Sequence, residues 1–495
     1  MSEAKHFHTA AEDRISFSQK IYYGLGMLCN NLIPAALGCM VVVLNLGLGM
    51  NPVLVGYIMS FPRLTDAFTD PIMGYISDNT RSRFGRRRPY IFFGAIFLGL
   101  IFALMWQINT GHSEMFYFWF FMIGCILLFI ANTVFSTPFI AFGYEMTPDY
   151  HERTRVMAWA NWFGQIPWLL CPWFWWMMAN KKFFETSVDG AKFIALAVGG
   201  AVVVFGVLPA IFCKERFKTV AEGEAAKVYT KGMLNHIKEF LKGFFITIKC
   251  RPFLKICTAT FFLFNGFMMV AGLGLYVLIY FVFGGDEVMG GKYNGLFGTT
   301  SALSTIFIVI PIVTRLATKI GKRRAFITST SISMIGFLIK WWCFNPKYSS
   351  LIVVDIFGIK DVQIIILLPA ILISFGIGGL FTLMGAMMAD TCDIDELNSG
   401  QRREGVFGAI YWWTVKLGMS VAFALSGHIL NLTGFSVELG KAQTAKTLVL
   451  MRIFDISVPI LTSLIAILAI FFYKITEPRA REIRTELESR RGKTA

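Results

Sequence analysis

The sequence predicts an all-α membrane protein with twelve transmembrane helices in two six-helix bundles and both termini in the cytoplasm. Three observations lead to this fold class. The 495 residues are 55% hydrophobic and only 16% charged. Twelve apolar stretches are long enough to cross a bilayer, which takes about 20 residues. Basic residues are concentrated in alternate loops between these stretches, as is typical of the cytoplasmic side of a membrane protein.

The apolar stretches form two sets of six on either side of a Lys-rich linker. The first set lies near Ile21 to Leu48, Pro52 to Ile76, Tyr90 to Ile108, Phe116 to Ala141, Val156 to Ala179 and Phe193 to Phe212. The second set lies near Phe253 to Phe283, Leu296 to Leu316, Phe326 to Phe344, Ile364 to Met388, Val406 to Leu432 and Leu448 to Phe472. We therefore expect bundles over residues 1–213 and 253–475, a cytoplasmic linker over 214–252 and a cytoplasmic tail over 476–495.

The distribution of Lys and Arg sets the predicted orientation. The loops after the second, sixth and eighth spans and both termini are rich in basic residues, whereas the loops Gly47 to Pro52 and Asn109 to Met115 have none. Lys181, Lys182 and Lys192 fall on the expected outer side, but the basic residues on the expected cytoplasmic side outnumber them.

The two halves also repeat the pattern of basic loops, and parallel repeats place a binding path between the halves.

Several classes of protein are disfavoured by the composition. The net charge of +15 lies mainly in loops and tails, so it reflects topology and indicates no nucleic-acid partner. The nine cysteines show no CxxC pair and are expected to be free thiols. The sequence shows no Walker motif, no metal-ligand cluster and no Ser/His/Asp set. We expect neither an enzyme nor a bound cofactor.

Two carboxylates interrupt the second span. Asp66 and Asp70 are spaced i and i+4, so they project from one helical face. An acid at the centre of a membrane costs roughly 2.5 to 3.5 kcal/mol on insertion scales. One interpretation is that acids of this span form ion pairs with the arginines of the following loop. Asp78, which begins that loop, fits this interpretation better than Asp66 and Asp70 do. Hard cations take oxygen ligands, so the pair predicts a cation site.

The run Arg63 to Arg88, RLTDAFTDPIMGYISDNTRSRFGRRR, resembles the second helix and following loop of the glycoside/pentoside/hexuronide:cation symporters. These form the melibiose-carrier branch of the major facilitator superfamily, and the resemblance covers nearly the whole chain. It implies a coupling-cation site of Asp66, Asp70 and Thr133, with Lys416 of the eleventh span nearby. Thr69 replaces the amide that this family has between the two acids, which leaves Na⁺, Li⁺ and H⁺ open as the coupling cation.

Polar and aromatic residues of the spans are candidate sugar ligands, because amides bond hydroxyl groups and indole rings cover pyranose faces. The candidates are Asn30, Asn31, Ser136, Asn161, Trp162, Gln165, Asn265, Tyr411 and Trp412. Relative to the melibiose pattern, Asn31 and Ser136 stand where acids are found, Asn161 replaces an arginine, and Ile140 replaces a tryptophan. We therefore expect a ligand other than an α-galactoside.

Charged residues at the ends of the fourth and tenth spans are candidate gate residues. They are Glu145, Asp149, Arg153, Asp390, Asp393, Arg402 and Arg403. The resemblance implies that such ion pairs close the cytoplasmic side in the outward-open state. The alternative is that these charged residues only solubilise the cytoplasmic face of the protein.

The expected function is symport of a sugar, glycoside or hexuronide with a cation, by alternating access, in the cytoplasmic (inner) membrane. The expected partners are the small-molecule substrate and the lipid bilayer, and the protein is expected to act as a monomer. One alternative is a symporter of lysolipids or other amphiphiles from the same wider family. Another is a membrane sensor that does not transport.

Overall fold

The computed structural model describes residues 13–80, 82–147, 150–215, 249–356, 359–399 and 404–473, and single positions or short stretches from 475 to 489. These residues form twelve long helices, named α1 to α12. The first half contains α1 (Phe17–Met40, then Val42–Leu46), α2 (Pro52–Asn79), α3 (Arg88–Met105), α4 (Glu114–Glu145), α5 (Tyr150–Leu170, Cys171–Trp173 and Phe174–Ala179) and α6 (Ser187–Gly206, then Leu208–Phe212).

The second half contains α7 (Arg251–Tyr276, then the π-helical Val277–Val282), α8 (Glu287–Ser304, the π-helical Thr305–Val309, then Ile310–Ile320), α9 (Lys322–Cys343), α10 (Ile364–Leu367, then Leu368–Ser399), α11 (Glu404–Leu432) and α12 (Ala445–Phe471). Two short pieces, Pro346–Ser349 and Gly440–Ala442, lie in loops. We call the end of the bundle at which α1 begins the basal end, and the end at which its Val42–Leu46 segment finishes the distal end. The predicted linker lies mostly at residues 216–248, outside the described residues.

Ten of these helices are long and apolar enough to span a membrane. The other two are α2 and α5. Helix α2 carries Arg63, Asp66 and Asp70, and α5 begins with Glu152, Arg153 and a further arginine. The helical fold agrees with the sequence analysis, while the number of twelve spans and the orientation of the termini stay predictions.

Polar side chains begin several of these helices at the distal end. Asn51 accepts the N–H of Val53 at the start of α2, Ser113 that of Phe116 at the start of α4, and Thr444 that of Thr447 at the start of α12. The first N–H groups of a helix have no partner within the helix. A side-chain oxygen at the N-cap satisfies one of them, which lets a helix start directly after a short loop.

A small β-hairpin between α9 and α10 was not predicted. Strands β1 (Val353–Ile356) and β2 (Ile359–Gln363) pair antiparallel, with Val354 opposite Val362. Tyr293 of α8 holds the hairpin, because its hydroxyl accepts the N–H of Gln363 at 2.8 Å and donates to the carbonyl of Asp361 at 3.2 Å. The hairpin is an addition to the helical fold class, and because an isolated two-stranded hairpin is marginally stable, it depends on this packing against α8.

Among the described residues, the core that the two halves share lies at the distal end. One buried cluster contains core residues of α1 to α6 together with the distal parts of α7 to α12. A second cluster contains only residues of the second half, from Phe253 to Ile475, in the middle and basal parts of its helices. The halves are therefore packed together distally and have separate cores towards the basal end.

Three hydrogen-bonded contacts between the halves lie on the distal side as well. Tyr276 of α7 donates to Asn45 Oδ1 of α1 at 2.7 Å, and Trp173 Nε1 donates to Thr299 Oγ1 at 2.9 Å. The hydroxyls of Ser60 and Ser420 lie 2.9 Å apart between α2 and α11. In this structure the distal side of the path between the halves is closed.

Two glycines allow α2 and α11 to approach closely at this closure. A Cβ on Gly427 would lie 2.2 Å from the Pro52 carbonyl oxygen, and one on Gly56 would lie 2.6 Å from the Phe423 carbonyl oxygen. Both obstructing atoms belong to the backbone and cannot rotate away. Small residues have this role in membrane helix packing.

We expect Gly427→Ala to open the distal closure. Forcing extra atoms into a packed contact costs about 1 to 3 kcal/mol, so the share of molecules open at the distal end should increase. The measurement is the maleimide-labelling rate of Ser60→Cys in a background without native cysteines. Gly38→Ala is the control, because a Cβ at Gly38 would meet nothing within 4 Å. Equal labelling in both variants would contradict this role of Gly427.

Candidate functional site

The carboxylates of α2 meet Lys416 of α11 at the boundary between the halves. Lys416 Nζ lies 3.5 Å from Asp66 Oδ2 and forms a closer ion pair with Asp70 Oδ2. Asp66 is 3% exposed, whereas the side chains of Asp70 and Lys416 are 31% and 32% exposed. The spacing of four residues on α2 places both acids within reach of a single ammonium group.

Hydroxyl groups of α2 and α4 surround the same carboxylates. Thr133 donates to Asp70 Oδ1 at 3.0 Å, and Thr137 donates to the same oxygen at 3.4 Å. The hydroxyls of Thr69 and Thr133 lie 3.2 Å apart. The structure thus brings together all five predicted cation-site residues and adds Thr137.

One oxygen of this group has no partner. Among the described residues, Asp66 Oδ1 is buried without a hydrogen-bond donor. A buried carboxylate oxygen without a donor is costly. A bound cation would satisfy it, and the surrounding donor set of carboxylates and hydroxyls is the oxygen-rich kind that hard cations prefer. The residues present therefore fit such an ion.

Arg63 belongs to this group and was missed by the sequence analysis. It is buried one turn before Asp66, with its guanidinium carbon 4.9 Å from the ring centre of Phe129 and 5.2 Å from that of Phe423. The Arg63 and Asp66 charges interact electrostatically, and the rings add cation–π attraction. A third charged residue at i−3 from Asp66 was the signal available in the sequence.

Three of the predicted sugar ligands lie in helix packing. Asn265 is 4% exposed, and its amide donates to the Phe261 carbonyl against Gly418 of α11. The hydroxyl of Tyr411 lies 3.3 Å from that of Thr260, inside the same α7–α11 contact. Asn31 donates to the Gly164 carbonyl at 2.8 Å, between α1 and α5. Asn265 and Tyr411 therefore lie in close helix contacts in this structure, and among the described residues the Asn265 Oδ1 atom is buried without a hydrogen-bond partner. Their role as sugar ligands stays a prediction.

Other predicted ligands remain accessible. Trp412 is 53% exposed and lies one turn from Lys416 on α11, with its ring stacked on that of Phe381 at 6.3 Å. Gln165 and Asn161 are both exposed on α5, and their amides lie 3.4 Å apart. Trp162 is 63% exposed, and Asn30 and Ser136 are partly buried. The side chains of these residues are thus not enclosed by helix packing, and their role as sugar ligands stays a prediction.

The gate residues find partners within their own halves. Glu145 of α4 accepts from Arg86 and, at 2.8 Å, from Arg87, which also pairs with Asp78 at 2.6 Å. Asp390 of α10 accepts from Lys322 at 2.6 Å. Within the part of the chain that the structure describes, neither of these two carboxylates pairs with the other half of the protein, and their role as a gate of the outward-open state stays a prediction. These pairs belong to a structure that is closed distally.

The remaining gate residues contribute less to this picture. Arg153 donates to the Thr147 carbonyl at 3.2 Å, and Asp393 lies three residues after Asp390 on α10. Asp149, Arg402 and Arg403 lie outside the described residues.

In the loop after α6, Glu215 accepts the backbone N–H groups of Arg86 and Arg87 at 3.2 Å, and burial raises the pKa of its carboxyl group.

A second buried charge group, also missed, lies within the second half. Lys340 Nζ of α9 is 2.6 Å from Asp455 Oδ2 of α12, and both side chains are less than 10% exposed. The guanidinium carbon of Arg452 lies 4.1 Å and 3.9 Å from the ring centres of Phe281 and Trp341. This group joins α7, α9 and α12 and is separate from the boundary between the halves.

Comparison with known proteins assigns the chain to a family. A family profile described as "MFS/sugar transport protein" matches residues 22–477. A Bacillus subtilis (strain 168) protein named "Uncharacterized symporter YnaJ" is 26% identical over 96% of each chain. The "Glucuronide carrier protein homolog" of Escherichia coli (strain K12) is 24% identical over 97% of each.

A solved structure shows the same fold. It is the crystal structure of a bacterial homologue of the human lysosomal transporter Spinster in an inward-facing, occupied conformation. The TM-score is 0.62 at 10% identity, over 94% of this chain and 97% of that chain. The comparisons confirm that the chain is a membrane transporter and not an enzyme. Because the family profile matches most of its length, the chain belongs to the MFS/sugar transport protein family, in the branch of glycoside/pentoside/hexuronide:cation symporters.

Proposed function

We propose that this protein is a secondary transporter that couples a sugar, glycoside or hexuronide to a cation moving down its gradient across the cytoplasmic membrane. The observation that carries the proposal is the group of two carboxylates and three hydroxyls facing one ammonium at the boundary between the halves. A site that belongs to both halves can link ion binding to their relative position.

In the proposed cycle, the two halves move about the site so that it opens to one side of the membrane at a time. The present structure is the state closed distally. Five arginines follow the run of α2 at the basal end, so the basal end is the cytoplasmic end in this proposal. Both termini are then cytoplasmic, and the twelve helices form the two six-helix bundles.

The coupling cation would be held by Asp66, Asp70, Thr69 and Thr133. In this structure Lys416 neutralises the same carboxylates, so cation and ammonium compete for them. A ligand shifts a conformational equilibrium only by its difference in affinity between the two states. Release of Lys416 from α2 supplies such a difference, because it removes an ion pair that joins the halves.

The testing experiment uses the purified protein in proteoliposomes. We expect accumulation of a labelled glycoside or hexuronide when an inward Na⁺, Li⁺ or proton gradient is imposed, and only equilibration without a gradient. The labelled panel includes a lysophospholipid, which tests the amphiphile alternative. Equilibration of every sugar under all three gradients would contradict coupling, and accumulation of the lysolipid alone would contradict the substrate class.

A further inference from the structure

Resting on the proposed function, we infer that the substrate is an anionic sugar, and that Lys416 binds its acid group after the coupling cation has displaced it from Asp70. Lys416 would then be a specificity-determining residue as well as a neighbour of the cation site. The chemical class is a glycoside whose sugar carries a carboxylate or a sulfonate.

The charges at the boundary between the halves carry this inference. Arg63, Asp66, Asp70 and Lys416 sum to zero in the structure. The other charged residues of α1, α2, α4, α5, α7, α8, α10 and α11 lie in the first or last two turns of those helices or beside their basal ion pairs. A bound monovalent cation therefore leaves one excess positive charge at mid-membrane.

That excess charge falls on Lys416. Arg63 is fixed between the Phe129 and Phe423 rings and beside Asp66, so it keeps its place when the ion binds. Lys416 shares Asp70 with the incoming ion and is partly exposed. An ammonium without a counter-charge is unfavourable in a membrane interior, and an anionic substrate supplies that counter-charge whereas a neutral sugar does not.

The surroundings of Lys416 suit a sugar acid. Trp412 lies one helical turn from Lys416, exposed and stacked on Phe381. An indole face covers the apolar face of a pyranose ring. One turn of helix separates the two Cβ atoms by about 6 Å, so a single pyranose can contact the indole ring and the ammonium group together.

Coupling follows from the order of events. Without the cation, Lys416 is held by Asp66 and Asp70, and the acid group of the substrate has no receptor. The cation therefore raises the affinity for the anionic substrate, and by reciprocity the anionic substrate raises the affinity for the cation. A neutral glycoside does not show this coupling to the cation, because it has no acid group that binds the released ammonium group of Lys416.

The first test compares matched substrates on the wild-type protein in proteoliposomes. The probes are 4-nitrophenyl β-D-glucuronide, 4-nitrophenyl β-D-glucoside and a glucoside sulfonated at C6. With a Na⁺ or proton gradient, we expect the two acids to be taken up at least about tenfold faster than the glucoside. On a solid-supported membrane, the acids should move one cation with one anion and produce little current.

The second test asks whether Lys416 sets the preference. In Lys416→Gln, the glucuronide-to-glucoside ratio of equilibrium binding constants should fall to near one, and the cation should no longer raise glucuronide affinity. Trp412→Phe is the control, because it should weaken both glycosides together and leave the ratio unchanged. An unchanged ratio in Lys416→Gln would overturn the role of Lys416.

The outcomes separate this inference from the proposed function. Cation-driven uptake of the glucoside at the rate of the glucuronide, with a positive current, would overturn the inference and leave cation-coupled sugar transport standing. Cation-independent uptake of all three probes would instead overturn the proposed function. If Lys416→Gln does not fold, the wild-type comparison of rates and currents still decides between these outcomes.

Discussion

Asp70→Asn is expected to abolish cation-driven accumulation while leaving sugar exchange measurable. Asp70 is the carboxylate bound by Thr133, Thr137 and Lys416, and an asparagine amide cannot compensate a bound cation. At about 4 Å and an effective dielectric constant of 20, the lost attraction is about 4 kcal/mol, which corresponds to roughly a thousandfold loss of cation affinity. The measurement is uptake with and without an imposed ion gradient, beside exchange of labelled for unlabelled sugar.

The matched control is Asp189→Asn, which also removes a carboxylate paired with a lysine. In the Lys192–Asp189 pair at the distal end, the side chains are 25% and 46% exposed, and exposed ion pairs contribute about 0 to 1 kcal/mol. Accumulation should therefore persist in the control. If Asp70→Asn accumulates sugar as the wild type does, Asp70 is not a cation ligand.

Asp455→Asn is expected to destabilise the second half strongly. Asp455 is 1% exposed and faces two buried cations, Lys340 and Arg452. Removing one partner of a buried pair costs about 3 to 5 kcal/mol, because the remaining charge is left uncompensated. The measurement is the thermal unfolding midpoint of the purified protein in detergent.

Lys340→Met provides the comparison for this prediction. It leaves Asp455 with the Arg452 charge still near it, so its midpoint should fall by less than that of Asp455→Asn. In the double variant, one cation remains without its acid, and the midpoint should stay below that of Lys340→Met alone. A larger loss in Lys340→Met than in Asp455→Asn would contradict the assignment of two cations to one carboxylate.

The cation-site residues could be predicted because their chemistry is conspicuous in the chain. Carboxylates and a lysine inside apolar spans stand out by their insertion cost, and the helical repeat places Asp66 and Asp70 on one face whatever packs against it. Arg63 was overlooked beside them, although the same criterion applies to it. The sugar ligands were less predictable. In the sequence, Asn265, Tyr411 and Trp412 are equally plausible as sugar ligands, and they differ only in the helices that pack against them.

The sequence by itself determined the helical membrane fold, the two halves and the charged residues that the membrane interior must neutralise. These follow from local composition and periodicity, which act within one helix. Tertiary structure decided that Lys416 meets both acids across the boundary, that Arg452 and Lys340 converge on Asp455, and that Asn265 faces α11. Each of these depends on which helices are neighbours and how they are rotated. That choice comes from close contacts such as Gly427 against Pro52 and Gly418 against Asn265, whose spacing along the chain carries no local signal.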